Sequence, residues 1–194
     1  MKLRLLLILF IAFAFRANAA HIYVKDSTIK VVSLKGGYKL AYKKFDSIIF
    51  IAVEKGKTST ELGEGEADAK MPLETLGYLY ADFERYFAVA VHIDAKPIKI
   101  SIYDKTTGGL LMYGLTPFYV DTAKGLLMYE GAYGKKGKLI LFDAKTGKGK
   151  LFDAPTDTDC FGYCCWKVVN VNDKELELDY INKQHEKVVK TYER

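Results

Sequence analysis

Two segments of this 194-residue chain resemble each other at a constant spacing. When residues 78–114 are placed over residues 117–153, the offset is 39 residues (117 minus 78). A fixed period of this length predicts that one supersecondary unit is repeated along the chain. A fainter third copy begins at Tyr180. The aligned pairs are Tyr80 and Tyr119, Asp82 and Asp121, Tyr103 and Phe142, Asp104 and Asp143, Thr107 and Thr146, Gly108 and Gly147, and Tyr113 and Phe152.

The repeated unit has the pattern of short strands joined by tight turns. Residues 98–104, "IKISIYD", and residues 87–93, "FAVAVHI", alternate along the chain with a period of two, as half-buried strands do. Residues 47–53, "SIIFIAV", are apolar on both faces, as in a strand covered on both sides. Aspartate caps turns and glycine accepts a positive φ, so the recurring D-x-x-T-G pattern predicts hairpins. The sequence therefore predicts an all-β antiparallel meander of hairpins.

One segment also fits a helix. Between residues 72 and 87, apolar side chains recur at helical spacing, and Pro72 suits a first helical turn. Gly77 is unfavourable inside a helix by about 1 kcal/mol, and the segment aligns with a stretch that is a poor helix former. We therefore expect strands in this segment, with a helix near 72–87 as the alternative.

The units resemble the blades of quinoprotein-type and related β-propellers. The resemblance rests on "YVDTAKGLLMY" followed by "KLILFDAKTGK", and it is confined to about residues 76–153. It implies a small propeller-like fold with about four blade-like units, the smallest number that closes a ring. A β-sandwich or a barrel built from the same hairpins is the alternative. The motif is structural and implies no catalytic residue.

The first residues have the pattern of a secretory signal. A basic start precedes the apolar run from Leu5 to Phe15, and Ala17-Asn18-Ala19 supplies a small-x-small cleavage pattern. We expect a signal peptide over residues 1–19, a single all-β domain over residues 20–194, and a periplasmic or secreted location. Removal of the signal leaves 26 basic residues (29 minus 3) against 24 acidic ones. A nearly balanced charge without a basic stripe argues against nucleic acid as a partner, and no later stretch predicts membrane insertion.

The lysine- and glycine-rich turn near residue 146 is not a phosphate-binding loop. Such a loop needs G-x-x-x-x-G-K-S/T before a helix, whereas this turn lacks the first glycine and precedes the strand-like residues 148–152. No nucleophile elbow, zinc motif or calcium-loop pattern is present in the sequence. We expect no catalytic residue, no metal ligand and no cofactor.

All three cysteines lie within "CFGYCCW", residues 160–166. An oxidising compartment favours a disulfide, either Cys160 with Cys164 or Cys160 with Cys165, because adjacent cysteines form a strained ring. Either pairing closes a short loop and leaves one thiol. We expect this loop to present Tyr163 and Trp166 for binding, because aromatic side chains held by a crosslink lose little entropy when a partner docks.

These observations predict a secreted or periplasmic, non-enzymatic module that binds another protein in the cell envelope, as an inhibitor, immunity protein or adaptor. A carbohydrate-binding domain is one alternative, and it would need several aromatic side chains in one groove. A propeller-type hydrolase or lactonase is another, and it would need acidic residues and a metal at a channel mouth. The oligomeric state is not predicted by the sequence.

Overall fold

A computed structural model of the chain describes residues 27–66, 73, 76–93, 96–132, 134, 137–158 and 166–194. Apart from one 3-10 turn at Lys35–Gly37, the regular elements of these residues are strands. They are β1 (Ser27–Ser33), β2 (Lys39–Phe45), β3 (Ile48–Lys55), β4 (Thr58–Glu66), β5 (Tyr78–Asp82), β6 (Tyr86–Ile93), β7 (Lys96–Asp104), β8 (Leu110–Asp121), β9 (Leu126–Gly131), β10 (Lys138–Asp143), β11 (Lys148–Asp153), β12 (Lys167–Val171), β13 (Glu175–Ile181) and β14 (Lys187–Glu193).

The strands form three antiparallel meanders. Their orders are β1-β2-β3-β4, β5 through β11 in sequence, and β12-β13-β14. The predicted all-β meander of hairpins is therefore confirmed. The helical alternative is wrong over residues 78–87, where β5 and the start of β6 pair antiparallel. Leu76 donates its backbone N–H to the carbonyl of Leu73 at 3.1 Å, which marks a tight turn before β5.

Strand positions recur at an interval close to 39 residues. Strands β3, β6, β9 and β12 begin at residues 48, 86, 126 and 167, which gives intervals of 38, 40 and 41. Strands β4, β7, β10 and β13 begin at residues 58, 96, 138 and 175, which gives intervals of 38, 42 and 37. The chain therefore consists of four units of successive strands.

Unit 1 is β1–β4, and unit 4 is β12–β14. Units 2 and 3 share the seven-stranded sheet because β8 belongs to both of them. Its first half, residues 110–115, pairs with β7 and completes unit 2. Its second half, residues 117–121, pairs with β9 and opens unit 3. Bulges on both sides of Pro117 and a positive φ of 35° at Thr116 separate the two halves.

Each unit packs face to face on the next, so the core consists of three clusters. Units 2 and 3 are apolar on both faces, as the uninterrupted apolar stretches of β9 and β10 predict. Between units 1 and 2 lie Leu34, Leu40, Tyr42, Ile51, Val53, Phe87 and Val89. Between units 2 and 3 lie Ala81, Phe83, Tyr86, Ala88, Ile100, Ile102, Leu127, Tyr129, Ile140 and Phe142. Between units 3 and 4 lie Leu126, Met128, Leu139, Leu141, Phe152, Trp166, Val171, Leu176, Leu178 and Tyr180.

The turns contain the aspartate hydrogen bonds that the D-x-x-T-G pattern predicts. Asp104 accepts hydrogen bonds at Oδ1 from the backbone N–H and the hydroxyl of Thr106, at 2.8 and 2.5 Å. Burial alone would raise the pKa of the Asp104 carboxyl, but these hydrogen bonds and the Arg85 guanidinium outweigh it and lower the pKa. Asp143 accepts the backbone N–H of Lys145 in the same way at 2.8 Å. These aspartates therefore cap turns, as the sequence predicts.

Candidate binding surface

The aromatic loop that the sequence singles out is only partly described. Cys160, Cys164, Cys165 and Tyr163 lie outside the described residues, so the disulfide and the role of Tyr163 stay predictions. Trp166 is described, and 9% of its surface is exposed. The indole meets the Tyr180 ring edge to face, with centroids 6.0 Å apart, inside the core between units 3 and 4. Its position anchors the end of this loop in the core, and its binding role stays a prediction.

Trp166 also makes a polar contact with β9. The indole Nε1–H donates to Oε1 of Glu130 at 3.2 Å. Burial raises the pKa of the Glu130 carboxyl, and the hydrogen bond from Trp166 offsets only part of that rise. A partly buried carboxylate of this kind titrates closer to neutral pH than an exposed glutamate, so the stability of this contact depends on pH.

A row of exposed apolar side chains lies on the first half of β8. Leu111, Tyr113 and Leu115 are 41, 45 and 42% exposed, and we call these three residues the β8 strip. Tyr113 and Leu115 are two apart in the regular part of the strand and share a face. Leu111 is exposed beside them, at the bulge where the pairing with β7 passes from Met112 to Leu110. The Met112 side chain lies on the opposite face, against unit 3, and on the same face a Cβ at Gly114 would collide with the Tyr129 ring. The strip therefore points toward unit 1.

A groove between units 1 and 2 adjoins the β8 strip. Its volume is about 200 Å³. Ser101 and Lys99 lie in its wall and are the β7 partners of Tyr113 and Leu115. The remaining lining residues are Ile51, Leu62, Gly63, Leu76, Val89, Val91 and Tyr103. The strip is apolar, whereas the groove beside it is lined by apolar and polar groups in similar measure, among them Lys99 and Ser101. An exposed apolar strip is a feature of docking surfaces.

Several ionisable side chains are engaged in structural pairs. Lys105 Nζ lies 2.6 Å from Oδ1 of Asp82, and the lysine side chain is fully buried. Arg85 Nε lies 2.8 Å from Oδ2 of Asp104. The Nε2 atom of His92 lies 2.6 Å from the Tyr78 hydroxyl, and burial raises the pKa of that tyrosine. Each of these side chains is therefore held by a contact within the fold.

Two further observations concern metals and membranes. Within the described part of the chain, no group of three or more histidine, cysteine or acidic side chains is placed to hold a metal ion. Among the same residues, no helix has the length and apolar character that a membrane span requires.

Sequence reasoning missed the β8 strip, although a signal for it was present. Residues 110–115, "LLMYGL", are apolar without alternation, while the aligned residues 149–154, "GKLFDA", include charged ones. An apolar run on both faces predicts a strand covered on both sides. The prediction of a hairpin explained the glycines of the neighbouring turn. It gave no reason for the apolar run at residues 110–115.

Comparison with known proteins gives little further identification. No protein-family model matches the chain. No curated protein matches it either. Among solved structures, the chain is similar to a functionally unknown protein from Desulfotomaculum acetoxidans DSM 771, with 10% identity and a TM-score of 0.32. That similarity covers 84% of this chain and 55% of the other, so the chain spans about half the length of the structure it matches.

Proposed function

We propose that this chain is a secreted or periplasmic, non-enzymatic module that binds another protein of the cell envelope. The observation that carries the proposal is the β8 strip, in which three adjacent apolar side chains are each more than two-fifths exposed. Contiguous apolar surface on a soluble protein is often a site of protein interaction. Tyrosine is also enriched among the residues that dominate the energetics of protein interfaces.

The location belongs to the same proposal and rests on the first nineteen residues. Their basic, apolar and small-residue order is that of a cleaved signal peptide. Mass spectrometry of the exported protein should find a mature chain that begins at Ala20. A mature chain that retains the apolar run would contradict this part of the proposal.

We also infer that the four units are arranged as the blades of a small, closed propeller. The support is their sequential face-to-face packing and the interval close to 39 residues at which their strands recur. Non-natural amino acids that carry a ketone can be introduced at positions 31 and 189 and coupled to nitroxide spin labels. The measured distance between the two labels then reports the distance between the outer faces of units 1 and 4. A closed ring predicts less than roughly 20 Å, whereas an open stack of sheets about 10 Å apart predicts more than roughly 30 Å.

Capture from an envelope extract tests the binding function. The bait is the mature protein, compared with a triple variant of the strip, Leu111→Thr, Tyr113→Thr and Leu115→Thr. Threonine keeps the β-propensity of the strand and removes most of the apolar surface. The matched control is Val120→Thr, Leu151→Thr and Val189→Thr, which changes three similarly exposed side chains elsewhere.

The proposal predicts that the strip variant loses a partner that the mature protein and the control variant both retain. Circular dichroism should show that all three proteins are folded alike. A Trp166→Ala variant tests the aromatic loop in the same experiment. If the strip variant recovers every protein as well as the mature protein does, the β8 strip is not the binding surface.

A further inference from the structure

Strand β7 presents a row of polar side chains toward unit 1. Its residues Ile100 and Ile102 are fully buried in the core between units 2 and 3. Because side chains alternate along a strand, Lys99, Ser101 and Tyr103 lie on the opposite face. All three line the groove between units 1 and 2. We call these three residues the polar row.

Strand β10 has the same position in unit 3 as β7 has in unit 2, but it is apolar on both faces. Ile140 and Phe142 pack against unit 2, and Leu139 and Leu141 pack against unit 4. A strand that lies between two packed layers is normally apolar on both sides. Packing between units therefore does not require the polar row, and its side chains need another explanation.

The fold does not engage the polar ends of this row. In the part of the chain that the structure describes, the Lys99 ammonium forms no ion pair and the Ser101 hydroxyl forms no hydrogen bond. The Tyr103 ring is held in the groove wall, because it stacks on Phe87 with ring centroids 5.5 Å apart. By contrast, the nearby Lys105 ammonium is paired with Asp82. The donors of Lys99 and Ser101 are therefore free to bind a ligand in the groove.

The wall that unit 1 contributes leaves space in the groove. Gly63 pairs with Ile51, whose side chain faces unit 2, so a side chain at position 63 would face the groove as well. A Cβ at this position meets nothing within 4 Å. The pairing with β3 is bulged beside Gly63, and Leu62 at the bulge also lines the groove. Glycines and bulges within strands often mark a place where a ligand approaches the backbone closely.

The volume and lining of the groove indicate the chemistry of a ligand. A cavity of about 150 Å³ can hold benzene. The groove, at about 200 Å³, therefore accommodates a molecule slightly larger than one aromatic ring. Ile51, Leu76 and Val89 supply apolar contacts, while Lys99 and Ser101 supply donors to an anion. Apolar walls with a few polar groups are typical of small-molecule sites, and one ammonium complements a single negative charge.

We propose that the groove between units 1 and 2 binds a small apolar monocarboxylate. The ligand carboxylate accepts hydrogen bonds from the Lys99 ammonium and the Ser101 hydroxyl, and the apolar body packs on the side chains of unit 1. This site goes beyond the proposed protein-binding function and does not depend on it, because the residues of the β8 strip are not among those that line the groove.

The probe is 3-phenylpropionate, which joins one aromatic ring to one carboxylate. Titration of the isotope-labelled mature protein, followed by NMR, should give saturable shifts with a Kd below about 5 mM. The shifted amides should lie in residues 62–63, 89–91 and 99–103, with little change in β10 and β13. The neutral analogue 3-phenylpropanol should bind about tenfold more weakly, because it lacks the charge-assisted hydrogen bonds.

Two variants separate the charge from the space. Lys99→Met keeps an apolar stem and removes the ammonium, so it should weaken binding of 3-phenylpropionate about tenfold and leave binding of 3-phenylpropanol unchanged. The matched control is Lys148→Met, which changes an exposed lysine on β11 and should bind as the unmodified protein does. Gly63→Leu fills the groove and should abolish binding of both compounds. Circular dichroism should show that all of these variants are folded, because the space at Gly63 admits a side chain.

Three outcomes would overturn the inference: no saturable binding of 3-phenylpropionate, equal affinity for the acid and the alcohol, or undiminished binding of the acid by Lys99→Met. Shifts confined to residues outside the groove would overturn it as well. If Gly63→Leu fails to fold, the comparison of the acid with the alcohol in Lys99→Met still decides the question. The β8 strip variant should bind the acid as the unmodified protein does, so failure of partner capture and failure of this site are distinguishable.

Discussion

Lys105 shows how a charged residue can stabilise the junction between units 1 and 2. Its side chain is fully buried and ion-paired with Asp82 at 2.6 Å. The ammonium also donates to the backbone carbonyls of Phe83 and Lys35 at 2.5 and 3.1 Å. A buried charge is tolerated only when its partners satisfy it. Sequence alone could not predict this role, because the D-x-x-T-G turn gives no reason for the lysine at its second position to turn inward.

Replacement of this lysine should be costly. Lys105→Met leaves Asp82 without its counter-charge and two carbonyls without a donor, so we expect a loss of about 3–5 kcal/mol in the free energy of unfolding by urea denaturation. The control is Lys138→Met, which removes a solvent-exposed pair with Asp153 and should cost far less. Similar losses for the two variants would contradict this role for the buried pair.

Glu130 gives the protein a pH-dependent contribution to stability. Burial raises the pKa of its carboxyl above 4.5, the ordinary value. The folded protein therefore retains this proton at pH values where the unfolded chain has lost it. The contribution is complete below the unfolded pKa and is lost as the pH rises through the folded pKa.

The variant Glu130→Gln keeps an acceptor for Trp166 and removes the charge. Its stability relative to the unmodified protein should be more favourable at pH 7 than at pH 4, by less than about 1 kcal/mol because the group is only partly buried. Urea denaturation at both pH values measures the difference, with the exposed Glu193→Gln as control. A relative stability that is equal at pH 4 and pH 7 would contradict this assignment.

At the scale of the element, β8 can run from unit 2 into unit 3 because the residue at position 114 is glycine. A Cβ on Gly114 would collide with the ring of Tyr129, which is fully buried, and would lie 2.8 Å from the carbonyl oxygen of Glu130. The strand can pass this ring only as glycine. Close packing therefore fixes the residue at the point where β8 passes from unit 2 to unit 3.

Gly114→Ala should lower the free energy of unfolding by about 1–3 kcal/mol, because the tyrosine ring has no room to move. Gly63→Ala in β4 is the matched control, since a Cβ there meets nothing within 4 Å. We expect that change to stay within about 0.5 kcal/mol. Thermal unfolding followed by circular dichroism provides the measurement, and tolerance of alanine at position 114 would contradict the packing argument.

The strands themselves were largely predictable from the sequence. Which face of each strand is buried was not. Alternation and the D-x-x-T-G turns predicted strands on both sides of residues 104–109 and 143–149, and both hairpins form. A one-residue bulge reverses which side chains point inward, and such bulges occur between Ile102 and Tyr103 and beside Pro117. No local sequence rule locates them, so the outward turn of Leu111, Tyr113 and Leu115 was missed.

At the scale of the whole molecule, four similar units pack in sequence, and the differences between them mark the candidate site. Units 2 and 3 each contribute side chains to two core clusters, whereas the β8 strip of unit 2 is exposed. The repeat was visible in the sequence because the turns preserve it. The β8 strip was not, because only the pairing and burial of the strands show which side chains of residues 110–115 are exposed.

The central claim is that a partner protein docks on the β8 strip. Hydrogen exchange of the complex with the captured partner, compared residue by residue with the free chain, tests it most directly. We predict slower exchange in residues 110–115, with little change in β10 and β13. Protection confined to residues 159–166, with no change in β8, would contradict the claim and assign binding to the aromatic loop.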